Sequence, residues 1–172
     1  MPSEEPQSSA YNFRFIGGEL NSYLFETQTG ITYEVRFTPT PYLFGEDSRY
    51  ATDTFELSLL VSHNPTGRRP PFDRLTARTL AAIFEDFYVR SADTITLYIC
   101  ASYDGRQVLR QQLFHRWFYY FERDDFAKLD EIIRDSNGTV YPLTLIIKHK
   151  NPNRAEIFEA FMRVTSGYRV DK

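Results

Sequence analysis

This sequence of 172 residues predicts an α+β fold, with three helices packed on a mostly antiparallel sheet. Three observations carry the prediction. The first third of the chain alternates apolar and polar side chains with a period of two, interrupted by glycine and proline turns. The middle switches to apolar stripes at i, i+3, i+4 and i+7, with one apolar strand between them. The last third returns to a hairpin pattern and closes on a further helical stripe.

Residues 1–10 hold two Pro, two Glu and three Ser with no apolar period, and read as a disordered tail. Residues 11–168 read as one domain. Tyr11, Phe13 and Phe15 share one face of a first strand, with Asn12 and Arg14 opposite. Gly17-Gly18 offers a turn into a second strand over 22–27. Gln28-Thr29-Gly30 offers another into a third over 32–38, where Tyr33, Val35 and Phe37 alternate with Glu34 and Arg36. This is the pattern of an antiparallel meander. Pro39 and Pro41 end it, because proline lacks a donor for the ladder. Residues 54–62 form a fourth strand.

Three prolines, Gly67 and Arg68-Arg69 make 63–72 a loop. Asp73 is placed to cap the helix that follows, whose buried stripe is Leu80, Ile83, Phe84 and Phe87. Residues 94–100 form a strand that is apolar on both faces, with Ile95, Leu97 and Ile99 on one and Tyr98 and Cys100 on the other. Such a strand belongs in the interior of a sheet. A second helix over 106–122 follows Asp104. Its stripe is Leu109, Leu113, Trp117 and Tyr120, broadened by Phe114, Phe118 and Phe121.

Residues 126–134 suit either a short helix or a strand. The turn Asp135-Ser136-Asn137-Gly138 and the strand pattern over 139–150 favour a hairpin. Pro142 inside the last strand predicts an edge or a bulge. Asn151-Pro152 reads as the cap and first position of a terminal helix carrying Ile157, Phe158, Phe161 and Val164, and Gly167 ends it.

Composition narrows the function. One cysteine forms no internal disulfide, and three histidines with that cysteine are too few for a Cys/His zinc site. No metal or other cofactor is expected. No apolar stretch approaches the roughly 18 residues that span a bilayer, so no membrane partner is expected. The polar, acidic start MPSEEPQSSA is unlike a secretory signal, and a cytoplasmic location is expected. A net charge of −3 argues against a generally basic nucleic-acid binder.

Four groups of residues could carry chemistry. In Cys100-Ala101-Ser102-Tyr103-Asp104-Gly105-Arg106, a strand ends in Cys and Arg opens a helix, which is the Cys-x5-Arg spacing of cysteine-dependent phosphatases. There the helix N-terminus and the guanidinium hold phosphate and depress the thiol pKa. Asp104 opposes this reading by placing negative charge inside the loop. Glu85, Asp86 and Asp104 could together hold a divalent ion, but Glu85 and Asp86 also suit the water-facing side of their helix.

Arginine is the third signal. Residues 63–123 carry nine Arg against six acids, whereas residues 1–62 carry nine acids against three bases. Arg106, Arg110 and Arg116 on the second helix form the candidate binding set, since guanidinium forks recognise carboxylate and phosphate. Interleaved aromatics would also suit single-stranded nucleic acid. Tyr119 completes the set as the water-facing member of Trp117-Phe118-Tyr119-Tyr120-Phe121. His63, His115 and His149 are isolated in sequence and point to no triad.

Tyr98-Ile99-Cys100, Asp104-Gly105-Arg106-Gln107 and Phe114-His115-Arg116-Trp117-Phe118 together resemble a family of small bacterial proteins classed only as a domain of unknown function. The resemblance runs over about 11–164 and includes Tyr42-Leu43-Phe44 and Asn151-Pro152-Asn153-Arg154. It departs at Ala101, where the family often has an acidic residue. The resemblance implies a bacterial, cytosolic setting. With no convincing catalytic set, the sequence predicts a small interaction or regulatory protein without catalytic activity, binding itself or another protein. A Cys100/Arg106 phosphatase and single-strand binding through Arg and Tyr are the alternatives.

Overall fold

The computed structural model describes residues 10–71, 73–99, 105–118 and 125–167. Strands β1 (Phe13–Gly17), β2 (Ser22–Glu26), β3 (Thr32–Pro39) and β4 (Thr54–His63) follow one another as an antiparallel run. Helix α1 (Arg74–Arg90) then crosses to β5 (Ile95–Ile99), which pairs parallel to β4. A parallel pair needs such a crossover, and α1 supplies it. Helix α2 (Gln107–Phe118), the hairpin β6 (Phe126–Arg134) and β7 (Val140–Lys148), and α3 (Arg154–Gly167) complete the described elements. The seven strands form one sheet in the order β1-β2-β3-β4-β5-β7-β6. The α+β class, the meander and the hairpin over 126–134 are as the sequence predicts.

Neighbouring residues on β5 and β7 point into two different cores, as strand pleating requires. Tyr98 and Ile146 face the first core, built from α1, α2 and the inner side chains of β2–β4. Leu97, Leu145 and Ile147 face the second, built with Ile157 and Phe161 of α3 and Tyr50 from the loop before β4. The first core is aromatic. Phe37 stacks on Phe87 at a centroid distance of 3.9 Å, and Tyr98 on Phe114 at 4.2 Å. Two of its tyrosine hydroxyls are held within the protein: Tyr23 donates to Asp86 at 2.6 Å, and Tyr88 donates to the Ile146 carbonyl at 2.7 Å.

Helix α1 starts where its sequence directs. The Asp73 carboxylate accepts from the Leu75 amide at 2.8 Å, and its other oxygen accepts from the Tyr11 hydroxyl. Leu80, Ile83, Phe84 and Phe87 are all buried.

Three local expectations need correction. The buried stripe of α2 is Phe114 and Phe118, with Trp117 partly covered, whereas Leu109 is 57% exposed. Helix α2 is apolar on several sides, so periodicity did not fix its rotation, and contact with Tyr98 did. Pro142 lies neither on an edge strand nor at a bulge, since β7 runs between β5 and β6 with Pro142 in register opposite Ile132. Pairing with β5 is described as far as Ile99↔Leu143. Asn151 is not the cap of α3. It accepts from the Asn153 amide at 2.9 Å in a turn ahead of the helix, which begins at Arg154. Among the described residues no helix is long and apolar enough to cross a membrane.

Candidate functional site

Helix α2 is the element on which most of the candidate residues meet. Phe114 and Phe118 hold its inner side against the sheet. Its outer side is Val108, Leu109, Gln112 and Arg116, spaced so that one helical stripe takes all four. Val108 is 49% exposed and Leu109 57%, so two aliphatic neighbours stand in water beside a guanidinium. Arg116 has no ion-pair partner among the described residues. Arg106 is exposed directly ahead of the helix, where its carbonyl accepts from the Arg110 amide at 3.0 Å.

The three arginines do not form one surface. Arg110 and Arg116 are six positions apart, which turns them about 120° from each other on a helix of 3.6 residues per turn. Arg110 is half-buried on the side of Phe114 and is already engaged within the protein. It therefore leaves the candidate set. Cys100 and Tyr119, and with them Asp104, lie outside the described residues. Of the phosphatase loop only Gly105, at φ +69°, and Arg106 are described.

The same helix carries a polar contact that the sequence did not reveal. His115 reaches sideways from α2 to Asp130 on β6, Nε2 to Oδ1, at 3.1 Å. Asp130 also accepts from the Thr144 hydroxyl at 2.7 Å and from the Lys128 ammonium. Burial raises the Asp130 pKa, but the bonds from Lys128 and Thr144 and the charges of Lys128 and His115 outweigh it and hold the carboxyl below the ordinary range. Lys128 in turn lies over the Phe118 ring at 5.7 Å. These contacts fix the rotation of α2 and so decide which side chains face out. The strand alternation of Lys128 and Asp130 was visible in the sequence, but nothing there paired them with His115.

The paired acids on α1 are engaged separately. Asp86 accepts from Tyr23 and from Arg90 at 3.2 Å, while Glu85 lies 3.4 Å from the Lys148 ammonium. Among the described residues no group of three His, Cys, Asp or Glu is arranged to hold a metal ion. Arg68, Arg69, Arg74 and Arg78 are exposed, and none has an ion-pair partner among the described residues. Among the described residues, no ion pair joins them to the acidic N-terminal third.

A family model described as "Family of unknown function (DUF6169)" matches residues 73–163, more than half of the chain. The match begins at the cap of α1 and ends inside α3, so it takes in α2 and Asp130 and leaves out the N-terminal meander. No curated protein and no solved structure matches the chain.

Proposed function

The chain belongs to the family of unknown function DUF6169, and from that premise we propose that it is a small interaction or regulatory protein without catalytic activity. Its contact surface is the outer stripe of α2, and its partner is a protein, in the simplest case a second copy. One observation supports this above the others: Val108 and Leu109 stand exposed between Arg106 and Arg116 on a helix otherwise anchored by aromatics. Covering exposed aliphatic area is favourable at roughly 25 cal/mol per Å². The adjacent Arg116 guanidinium would select an acidic rim on the partner. A cytoplasmic, bacterial setting goes with this reading.

Sedimentation and crosslinking of the purified protein test it. A concentration-dependent dimer, or one defined crosslinked partner, is expected. Leu109→Glu with Arg116→Glu should abolish the association and leave the thermal melt unchanged. A monomer at every concentration, with no crosslinked partner, overturns the reading.

A second reading, a cysteine-dependent phosphatase using Cys100 and Arg106, is favoured by the position of Arg106 directly ahead of α2. Aryl phosphate hydrolysis that disappears in Cys100→Ser would replace the first reading with this one. The exposed Arg68, Arg69, Arg74 and Arg78 favour single-strand binding, which would show itself as affinity falling steeply with salt.

A further inference from the structure

Among the described residues the two faces of the sheet are covered unequally, and the gap is a cavity. Helix α3 lies over β6 and β7. Beside it, towards β4, an opening of about 460 Å³ remains, within the size range of small-molecule sites. Leu97 and Leu143 form its floor, Phe161 and Val164 of α3 one wall, and Leu43 and Tyr42 the other. Tyr42 is 65% exposed at the rim, although it belongs to a loop that otherwise turns Leu43, Phe44 and Tyr50 inward.

One acid reaches into this apolar space. Glu56 on β4 is in register with Leu97 on β5, so its side chain shares the face that the cavity occupies. No hydrogen bond or ion pair holds it among the described residues. Arg36, on the neighbouring strand, is taken by Glu34 at 2.8 Å. Asp135, at the far end of the cavity, is satisfied by the Asn137 and Thr139 amides and the Tyr141 hydroxyl. Arg134 also lines the cavity but makes no ion pair with Glu56. Burial alone pushes the Glu56 carboxyl above the ordinary glutamate range, with no cation to oppose it. An ionised carboxylate only accepts hydrogen bonds, so the missing partner is a donor, preferably a charged one.

We propose that this cavity is a binding site for a small amphipathic amine, its ammonium group on Glu56 and its apolar body against Leu97, Leu143 and Phe161. The site lies on the opposite face of the sheet from α2 and is independent of any partner bound there. Apolar walls with one fixed polar group give this ligand class its orientation: the body fills the space and the head neutralises the acid. A fatty carboxylate would place like charges together, and a neutral alcohol would leave the acid charged and uncompensated.

Octylamine, octanol and octanoate, matched in chain length, test the assignment on the full-length protein by calorimetry, with amide shifts locating the site. Octylamine should perturb Leu97, Leu143 and Phe161 and bind about tenfold or more tighter than octanol, with octanoate weakest. Glu56→Gln should bring octylamine to within a few-fold of octanol, with octanol itself unchanged. Val164→Trp, which fills the opening without touching Glu56, should block both. Equal affinity for octylamine and octanol in the unmodified protein overturns the proposal. So does octylamine binding that Glu56→Gln leaves unchanged, or amide shifts that map away from the cavity.

Discussion

Asp130 and Glu56 are both strand carboxylates, one on each face of the sheet, and the protein treats them in opposite ways. Asp130, on the α2 side of the sheet, is met by Lys128, Thr144 and His115, and its pKa is lowered. Glu56, on the α3 side, is met by no donor among the described residues, and its pKa is raised. The difference follows the covering of each face. Two helices and an aromatic core close the first face, and Asp130 has its bonds made within the protein there, although the buried Trp117 Nε1 on the same face has no partner among the described residues. Among the described residues a single helix covers the second face at one end, and a carboxylate beside the gap keeps partial access to water and has no fixed partner. A satisfied acid explains structure. An unsatisfied one beside an apolar cavity points to something that binds.

The largest expected effect separates the closed face from the open one. Phe84 is fully buried between α1 and the sheet, in edge contact with Phe37. Phe84→Ala should cost about 3–5 kcal/mol in urea melts, because the cavity left behind has no route to collapse. A cost below about 1 kcal/mol would mean that the first face is as loosely filled as the second, and the comparison would fail.

A smaller effect tests the satisfied acid. Asp130→Ala should destabilise by about 1 kcal/mol at neutral pH, a modest figure because a third of that side chain remains exposed and water screens its pairs. Since the folded pKa is depressed below 3.8, this contribution is present above that value and fades as pH falls through the folded pKa. Wild type and Asp130→Ala should therefore converge in acid. A difference that persists at the lowest pH would show packing, and not charge, as its origin.

The smallest effect has the opposite sign. Glu56 is raised above 4.5, so the charged acid costs stability above its folded pKa, and that cost is relieved as pH falls towards 4.5. Glu56→Gln should stabilise the free protein by a few tenths of a kcal/mol at neutral pH, solvent screening keeping the figure small. Thermal melts read it. A loss of stability on this substitution would mean that Glu56 has an internal partner, and the contrast with Asp130 would dissolve.

Much of this molecule can be read from its residues in order. The meander follows from the alternation around Tyr33, Val35 and Phe37, the start of α1 from Asp73, and the hairpin from Asp135 to Gly138 ahead of an apolar strand. In each case the signal is local: a period, a cap or a turn within a few residues. The readings that needed revision concern sides rather than elements. Leu109 looked buried and is exposed, and Pro142 looked like an edge and lies on an interior strand. On α2 the apolar residues go most of the way round, so the sequence allowed several rotations of the same helix. The stacking of Phe114 on Tyr98 and the reach of His115 to Asp130 chose one of them.

By itself, then, the sequence determined which segments are strands and helices, how the N-terminal strands follow one another, and that the helices would each offer an apolar side. Only the tertiary structure decided how α2 is rotated, which acid finds donors, and where the cover over the sheet stops short. The physical reason is range. Backbone preference, pleating and capping act between residues close in the chain, whereas a hydrogen bond between α2 and β6, or the want of one at Glu56, depends on surfaces that meet only after folding.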